Sequence, residues 1–202
     1  MKVQKIKIIF FLLISVFSLN SCFKSSSSDT SFLKQNSTGA MGDLLIVMED
    51  TKWDGTIGDS VFSFFTQPHP SFLQAEPIFK VTHINHAAFS SIFETQRNIV
   101  ITHISSEYPE PSITIAKDKW AAPQIVFSIN APDEKSFLEL FSKSQKSIMD
   151  TILNQEISRY QAICKKYQAE GVAEKLSEKY NFTLTVPSGY NLDVAKDSFI
   201  WI

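Results

Sequence analysis

Four histidines, His69, His83, His86 and His103, fall within one stretch of the chain, and His83-x-x-His86 has the spacing of a ligand pair. A zinc site would need His103 or another donor as well, because closed sites converge three or four ligands on one ion. The strands that must carry them argue against it. If the runs 78–84 and 98–104 pair antiparallel around the 85–96 connection, His83 falls opposite about Asn98, and His103 lies roughly 16 Å further along. A parallel crossover would bring them closer, yet a connection of about a dozen residues is near the minimum for one. The histidines are therefore read without a metal, and no cofactor is called for.

Other reactive groups are as thinly supported. No Gly-x-Ser-x-Gly elbow is present, and no Ser, His and Asp sit in a recognisable triad context. Gly55 and Gly58 follow a strand and precede a helix, but the Walker lysine and the G-x-G-x-x-G spacing are missing. Cys164 precedes Lys165 and Lys166, though a mid-helix place on an apolar stripe reads as a buried structural thiol. Glu107, Glu110 and Asp118 read as solvated loop acids. Trp53 and Trp120 sit in loops at strand ends, where a large amphipathic side chain either lines a binding surface or caps the core. With Glu76 and Arg97 they form the candidate binding surface of this sequence, and Arg97-Asn98 reads either as a polar network or as a ligand contact. No residue is assigned a catalytic role, so the reading leans away from an enzyme.

Cys22 is the one residue whose spacing assigns it a modification. Lys2, Lys5 and Lys7 precede an apolar run from Ile8 to Phe17, and the segment closes on Leu19-Asn20-Ser21-Cys22. A basic start, a short apolar stretch and a small residue before the cut make a secretory signal over 1–21. Its ending resembles a bacterial lipobox, in which the cysteine thiol is acylated. From Ile8 to Leu19 the apolar stretch is about twelve residues, against the roughly twenty that a spanning helix needs. Acyl chains contribute ~0.8 kcal/mol per buried methylene, so two or more hold a protein stably on a bilayer. Residues 22–40, rich in Ser and Thr, read as a flexible tether with a reach of roughly 23 Å.

The chain has 202 residues and a formal charge of −2, which becomes −5 when the three lysines of the signal are removed. That balance lacks the footprint of nucleic-acid binding. Nor is it polybasic enough to hold a membrane by charge alone. Apolar residues make up 44%, with 17 Phe, enough for a packed core. Nothing in the sequence marks an oligomeric state.

The elements expected to position these residues are strands at 43–49, 78–84, 98–104, 112–116 and 124–130. Helices are expected at 60–67, with Asp59 as N-cap, within 85–96, at 133–168 and at 172–180. The long helix, capped by Asp133, would extend about 54 Å, with Phe137, Leu140, Phe141, Ile148, Ile152, Ile157, Tyr160, Cys164 and Tyr167 on its face. This order reads as α+β: a mainly antiparallel sheet with helices on one face, compatible with a ferredoxin-like arrangement. The α+β domain spans 41–170. Residues 171–202 read as the start of a second half or domain, with a strand at 182–186 and an ending at Phe199-Ile200-Trp201-Ile202 that looks like a buried strand cut short.

Trp53-Asp54-Gly55, Gln74 to Phe79, Arg97-Asn98-Ile99, Trp120 with Pro123-Gln124, and Tyr190 through Trp201 together resemble an uncharacterised lipoprotein family of Bacteroidota, catalogued only as a domain of unknown function. The resemblance runs from about Asp43 to the end. It implies an envelope lipoprotein, typically longer than this chain, and supplies no activity. In such bacteria an acidic run after the lipidated cysteine marks surface export. Asp29 is the one acid between Phe23 and Asp29, so the expected place is the outer membrane facing the periplasm rather than the cell surface. The function expected is a membrane-tethered, non-enzymatic binding or assembly module with an envelope protein as partner; the alternative is an envelope hydrolase using the Trp53, Glu76, Arg97 and Trp120 loops.

Overall fold

The runs around Leu45, Val100 and Phe127 are apolar at nearly every position, the pattern of strands covered on both faces. The computed structural model describes residues 34–202 except Phe72. The signal segment 1–21, the Cys22 modification and the tether as far as residue 33 lie outside the described residues. In chain order the elements are β1 (Gln35–Asn36), β2 (Asp43–Val47), α1 (Asp50–Trp53), α2 (Thr56–Phe65), β3 (Lys80–Ile84), α3 (Ser91–Glu94) and β4 (Asn98–Ile104). There follow β5 (Ser112–Lys117), β6 (Ala121–Ala122), β7 (Ile125–Ala131), α4 (Glu134–Lys166), α5 (Val172–Tyr180), β8 (Val194–Lys196) and β9 (Phe199–Trp201).

The main sheet has the order β3-β2-β4-β7-β5. β2 pairs in parallel with β3 and with β4, and β4 pairs in parallel with β7. Only the edge strand β5 runs antiparallel, against β7. The fold is α+β with one long helix, as expected, but the mainly antiparallel, ferredoxin-like sheet is corrected to a mainly parallel one. The physical reason is two-sided burial. Leu44, Ile46 and Met48 pack into one cluster with α2 and α4, while Leu45 and Val47 pack into another on the opposite face. The connection from β3 to β4 crosses β2 on that second face, laying Phe89 and Phe93 against Val47, Ile99 and Ile101. Asn85 tightens its start by accepting from the Ala88 N–H at 2.9 Å, so a connection close to the minimum length suffices.

Helix α2 begins earlier than expected, with Gly55 as its N-cap and Asp59 inside the first turn. Gly58 meets α1 so closely that a Cβ there would lie 1.8 Å from the Trp53 carbonyl oxygen. Helix α4 starts as expected, with Asp133 accepting from the Ser136 N–H at 2.7 Å. That bond holds the Asp133 carboxyl below its usual pKa. Its buried face runs through Phe137, Phe141, Ile148, Met149, Ile152, Glu156 and Arg159, whereas Ile157, Tyr160 and Tyr167 of the expected stripe are half exposed.

Residues 34–202 form one unit. Within it, Val172, Leu176 and Val186 make a small cluster of their own, joined by Tyr180, Leu192 and Ile200. The expected strand at 182–186 joins no sheet, although the Val186 carbonyl accepts from the Ala169 N–H at 2.8 Å, and Phe182 and Leu184 are nearly half exposed. β9 pairs only with β8, and its Phe199 and Trp201 face outward rather than into a core. Among the described residues no helix is long and apolar enough to cross a membrane.

Candidate binding site

The edge at which β2, β4 and β7 begin carries a buried ionic network. Asn98 opens β4 on the face covered by α4, and α4 continues its buried stripe past Ile152 with Glu156 and Arg159, four and seven residues on. Asn98, Glu156 and Arg159 are 1%, 2% and 5% exposed, so each polar atom needs a partner inside the protein. The Asn98 amide donates to Glu156 Oε1 at 2.6 Å and to the Asp43 carbonyl at 2.9 Å. Arg159 donates to Asn98 Oδ1 at 2.8 Å, to Glu156 Oε1 at 2.5 Å and to the Arg97 carbonyl at 2.8 Å.

Arg97 closes the set as an ion pair, its guanidinium 2.9 Å from Glu156 Oε2 but outside hydrogen-bond geometry. Two cations thus share one carboxylate. Burial lowers the pKa of Arg159 most, Glu156 raises it, and Arg97 lowers it again. The buried Nε atoms of Arg97 and Arg159 have no hydrogen-bond partner.

Beside this network lies a hollow of about 470 Å³. Arg97, Arg159 and Lys166 line it with Pro123, Ile163 and Tyr167. Asn36 of β1 and Ser37 just after it add a wall. Gln35 and Asn36 were expected to belong to the tether, yet they pair in parallel with β6, and the Ser37 and Thr38 N–H groups donate to Ala122 and Thr95. Backbone pairing needs no apolar period, which is why composition alone missed it.

The opposite edge, where the parallel strands end, is built from rings. Trp53 stacks on His83 at 4.4 Å between ring centres and 3° between planes. His86 stacks on His103 at 4.5 Å, and Tyr108 follows at 6.2 Å. The ring nitrogens have backbone partners: His83 Nε2 lies 2.9 Å from the Met48 carbonyl and His86 Nε2 lies 2.8 Å from the Thr102 carbonyl. Burial, then the His86 charge, lowers the His103 pKa, while Glu49 raises it. Among the described residues no three His, Cys, Asp or Glu side chains are grouped to hold a metal ion.

The family described as Domain of unknown function (DUF8532) matches residues 37–165, more than half of the chain. The chain belongs to that family. No curated protein and no solved structure matches it. The family match contains Arg97, Asn98, Glu156 and Arg159 and both stacked pairs, and it ends one residue before Lys166.

The structure disperses the candidate surface read from the sequence. Trp53 lines a hollow of about 280 Å³ with Asp59 and Phe62, separate from the one that holds Arg97. Trp120 packs edge-on against Phe89 at 5.5 Å, with the Lys119 amine 4.2 Å from its ring centre. Glu76 is exposed, and its carbonyl accepts from the His69 N–H at 2.8 Å. Of the four, Arg97 reaches the ionic network. Glu156 and Arg159 were missed because they sit among the exposed charges of a long helix. Their signal was spacing, since they occupy the slots that continue Ile148 and Ile152 every three to four residues. Cys164 is buried and unpaired, as a packed thiol should be.

Proposed function

We propose that this chain is a lipid-anchored, non-enzymatic binding module of the cell envelope that holds an anionic ligand in the hollow beside Arg97 and Arg159. The observation that carries the reading is the hollow itself. Its base is charged by two guanidiniums that share one carboxylate, and none of its described lining side chains is His, Cys, Asp or Glu. It offers positive charge and a planar fork for an anion. The anchor rests on the Leu19-Asn20-Ser21-Cys22 ending, and the periplasmic face of the outer membrane rests on the scarcity of acids after Cys22.

Two experiments test this. Full-length protein in detergent is incubated with a small-molecule extract of envelope, and retained and converted species are read by mass spectrometry. Retention of an anionic species unchanged, lost in Lys166→Glu and kept in Trp53→Ala, supports binding. Conversion of an envelope species, abolished by Trp53→Ala or Glu76→Ala, restores the hydrolase alternative. For the anchor, Cys22→Ala should move the protein out of the membrane fraction; retention there would remove the lipid from the reading.

A further inference from the structure

We infer that the hollow beside Arg97 and Arg159 takes a single carboxylate carried on a short apolar body. The inference rests on the binding reading above and adds the chemical class of the ligand. Charge sets the first term. Arg97, Arg159 and Glu156 sum to one uncompensated positive charge, and the side chains of Arg159 and Glu156 are each only 3% exposed. An unpaired buried charge is costly, and one monoanion neutralises it. Asp118 also raises the Arg159 pKa, as the weakest of the influences on it, so it offsets only part of that charge. Lys166 also lines the hollow, at its rim, with its amine 5.1 Å from the Tyr167 ring centre, so charge alone calls for an anion and the choice between carboxylate and phosphate rests on shape.

Shape sets the second term. A guanidinium carries five N–H donors in a planar fork, and internal acceptors occupy only some of those on Arg97 and Arg159. Planar forks match planar carboxylates. The negative end of the α4 dipole does not oppose this, because Arg159 lies about two turns before the helix end and the effect is confined to the last turn. Lys165 and Lys166 stand in that last turn.

Apolar surface sets the third term. Pro123, Ala162, Ile163 and Tyr167 line the hollow away from the arginines, and Ile163 and Tyr167 are each 53% exposed. A ligand with its carboxylate on the arginines can lay an apolar group over them. That apolar contact separates such a ligand from a bare anion.

Calorimetric titration of the full-length protein with four probes tests the class: N-acetylphenylalanine, its neutral amide, acetate and phenyl phosphate. N-acetylphenylalanine should bind saturably and about tenfold or more tighter than each of the others. Lys166→Glu and Ile163→Asp, both at the exposed rim, should weaken it without changing the melting temperature. Arg97→Lys, which keeps the charge and loses the fork, should weaken it further; if that variant fails to fold, the rim variants still decide. Equal binding of acid and amide, tighter phenyl phosphate, or no saturable binding up to about 10 mM would overturn the carboxylate class and leave the binding reading standing. Cleavage of the N-acetyl bond during the titration would overturn both.

Discussion

The two ends of one mainly parallel sheet are built on opposite electrostatic plans. Where the strands begin, Asn98, Glu156 and Arg159 are buried and held by charge-assisted hydrogen bonds. Where they end, Trp53, His83, His86 and His103 stand partly exposed and are held by ring stacking, with backbone carbonyls beside the Nε2 atoms of His83 and His86. In open α/β sheets the strand-end edge is the usual place for a ligand, at the point where strand order reverses, here between β2 and β4. In this chain that place is filled by its own rings, and the excess charge sits at the other end. Position in the fold therefore ranks the two edges one way, and the chemistry of the side chains ranks them the other. The chemistry is the better guide because affinity comes from what a site leaves unpaired.

The comparison breaks most visibly at Glu156. Removing the carboxylate leaves two guanidiniums facing each other in a buried setting, and Glu156→Gln should destabilise by about 3–5 kcal/mol, read from urea unfolding. Replacing the whole set together, Arg97→Met and Asn98→Leu with Glu156→Leu and Arg159→Met, should recover most of that loss, because a buried ionic network rarely outperforms a well-packed apolar one. If the fourfold variant is as unstable as the single, the network is not electrostatically strained and the ligand argument loses its base. At the ring edge the largest effect is steric. Gly58→Ala puts a methyl against the Trp53 carbonyl, forcing α2 away from α1. About 1–3 kcal/mol should be lost, together with the near-UV signal of the stacked tryptophan. A variant that is stable and spectrally unchanged would show that α2 can shift freely.

Protonation probes the ring edge more gently. The His103 pKa is lowered below 6.5 in the folded protein, so below that pH the unfolded chain binds the proton more readily. Its contribution is present above 6.5 and is lost as pH falls through the lower folded value. The melting temperature should therefore decline on acidification from neutral pH, and His103→Gln should flatten that decline. An unchanged slope in the variant would place the acid sensitivity elsewhere.

Most elements were legible before any coordinates, because β-branched runs and a capped helix leave strong local signals. Asn98–Ile104 and the Asp133 cap needed no tertiary knowledge. The direction of the sheet was legible too and was misread. Leu44 to Met48 is apolar at every position, and a strand with one solvated face would alternate. The site was harder. Arg97 was singled out, but its partners lie some 60 residues away on α4. The apolar residues Ile157, Tyr160 and Tyr167 suggested a stripe that the helix turns outward. Where a helix leaves the core, hydrophobicity stops reporting burial, and the slots filled by Glu156 and Arg159 look like surface.

The smallest expected effect isolates burial as the cause of the difference. Lys52 and Glu134 make an ion pair at 2.5 Å near the ring edge, the same separation as Arg159 and Glu156. Their side chains are 26% and 55% exposed, against 3% for each partner of the buried pair. The bond to Glu134 is the main influence raising the Lys52 pKa, yet water and salt screen most of what that implies for stability. Lys52→Met should cost no more than about 1 kcal/mol, and the cost should vanish near 1 M salt, where the screening length is about 3 Å. Glu156→Gln should keep most of its cost at that salt. If the two variants respond to salt alike, water reaches Glu156. The excess charge at the strand-start edge would then be solvated and no longer call for a ligand.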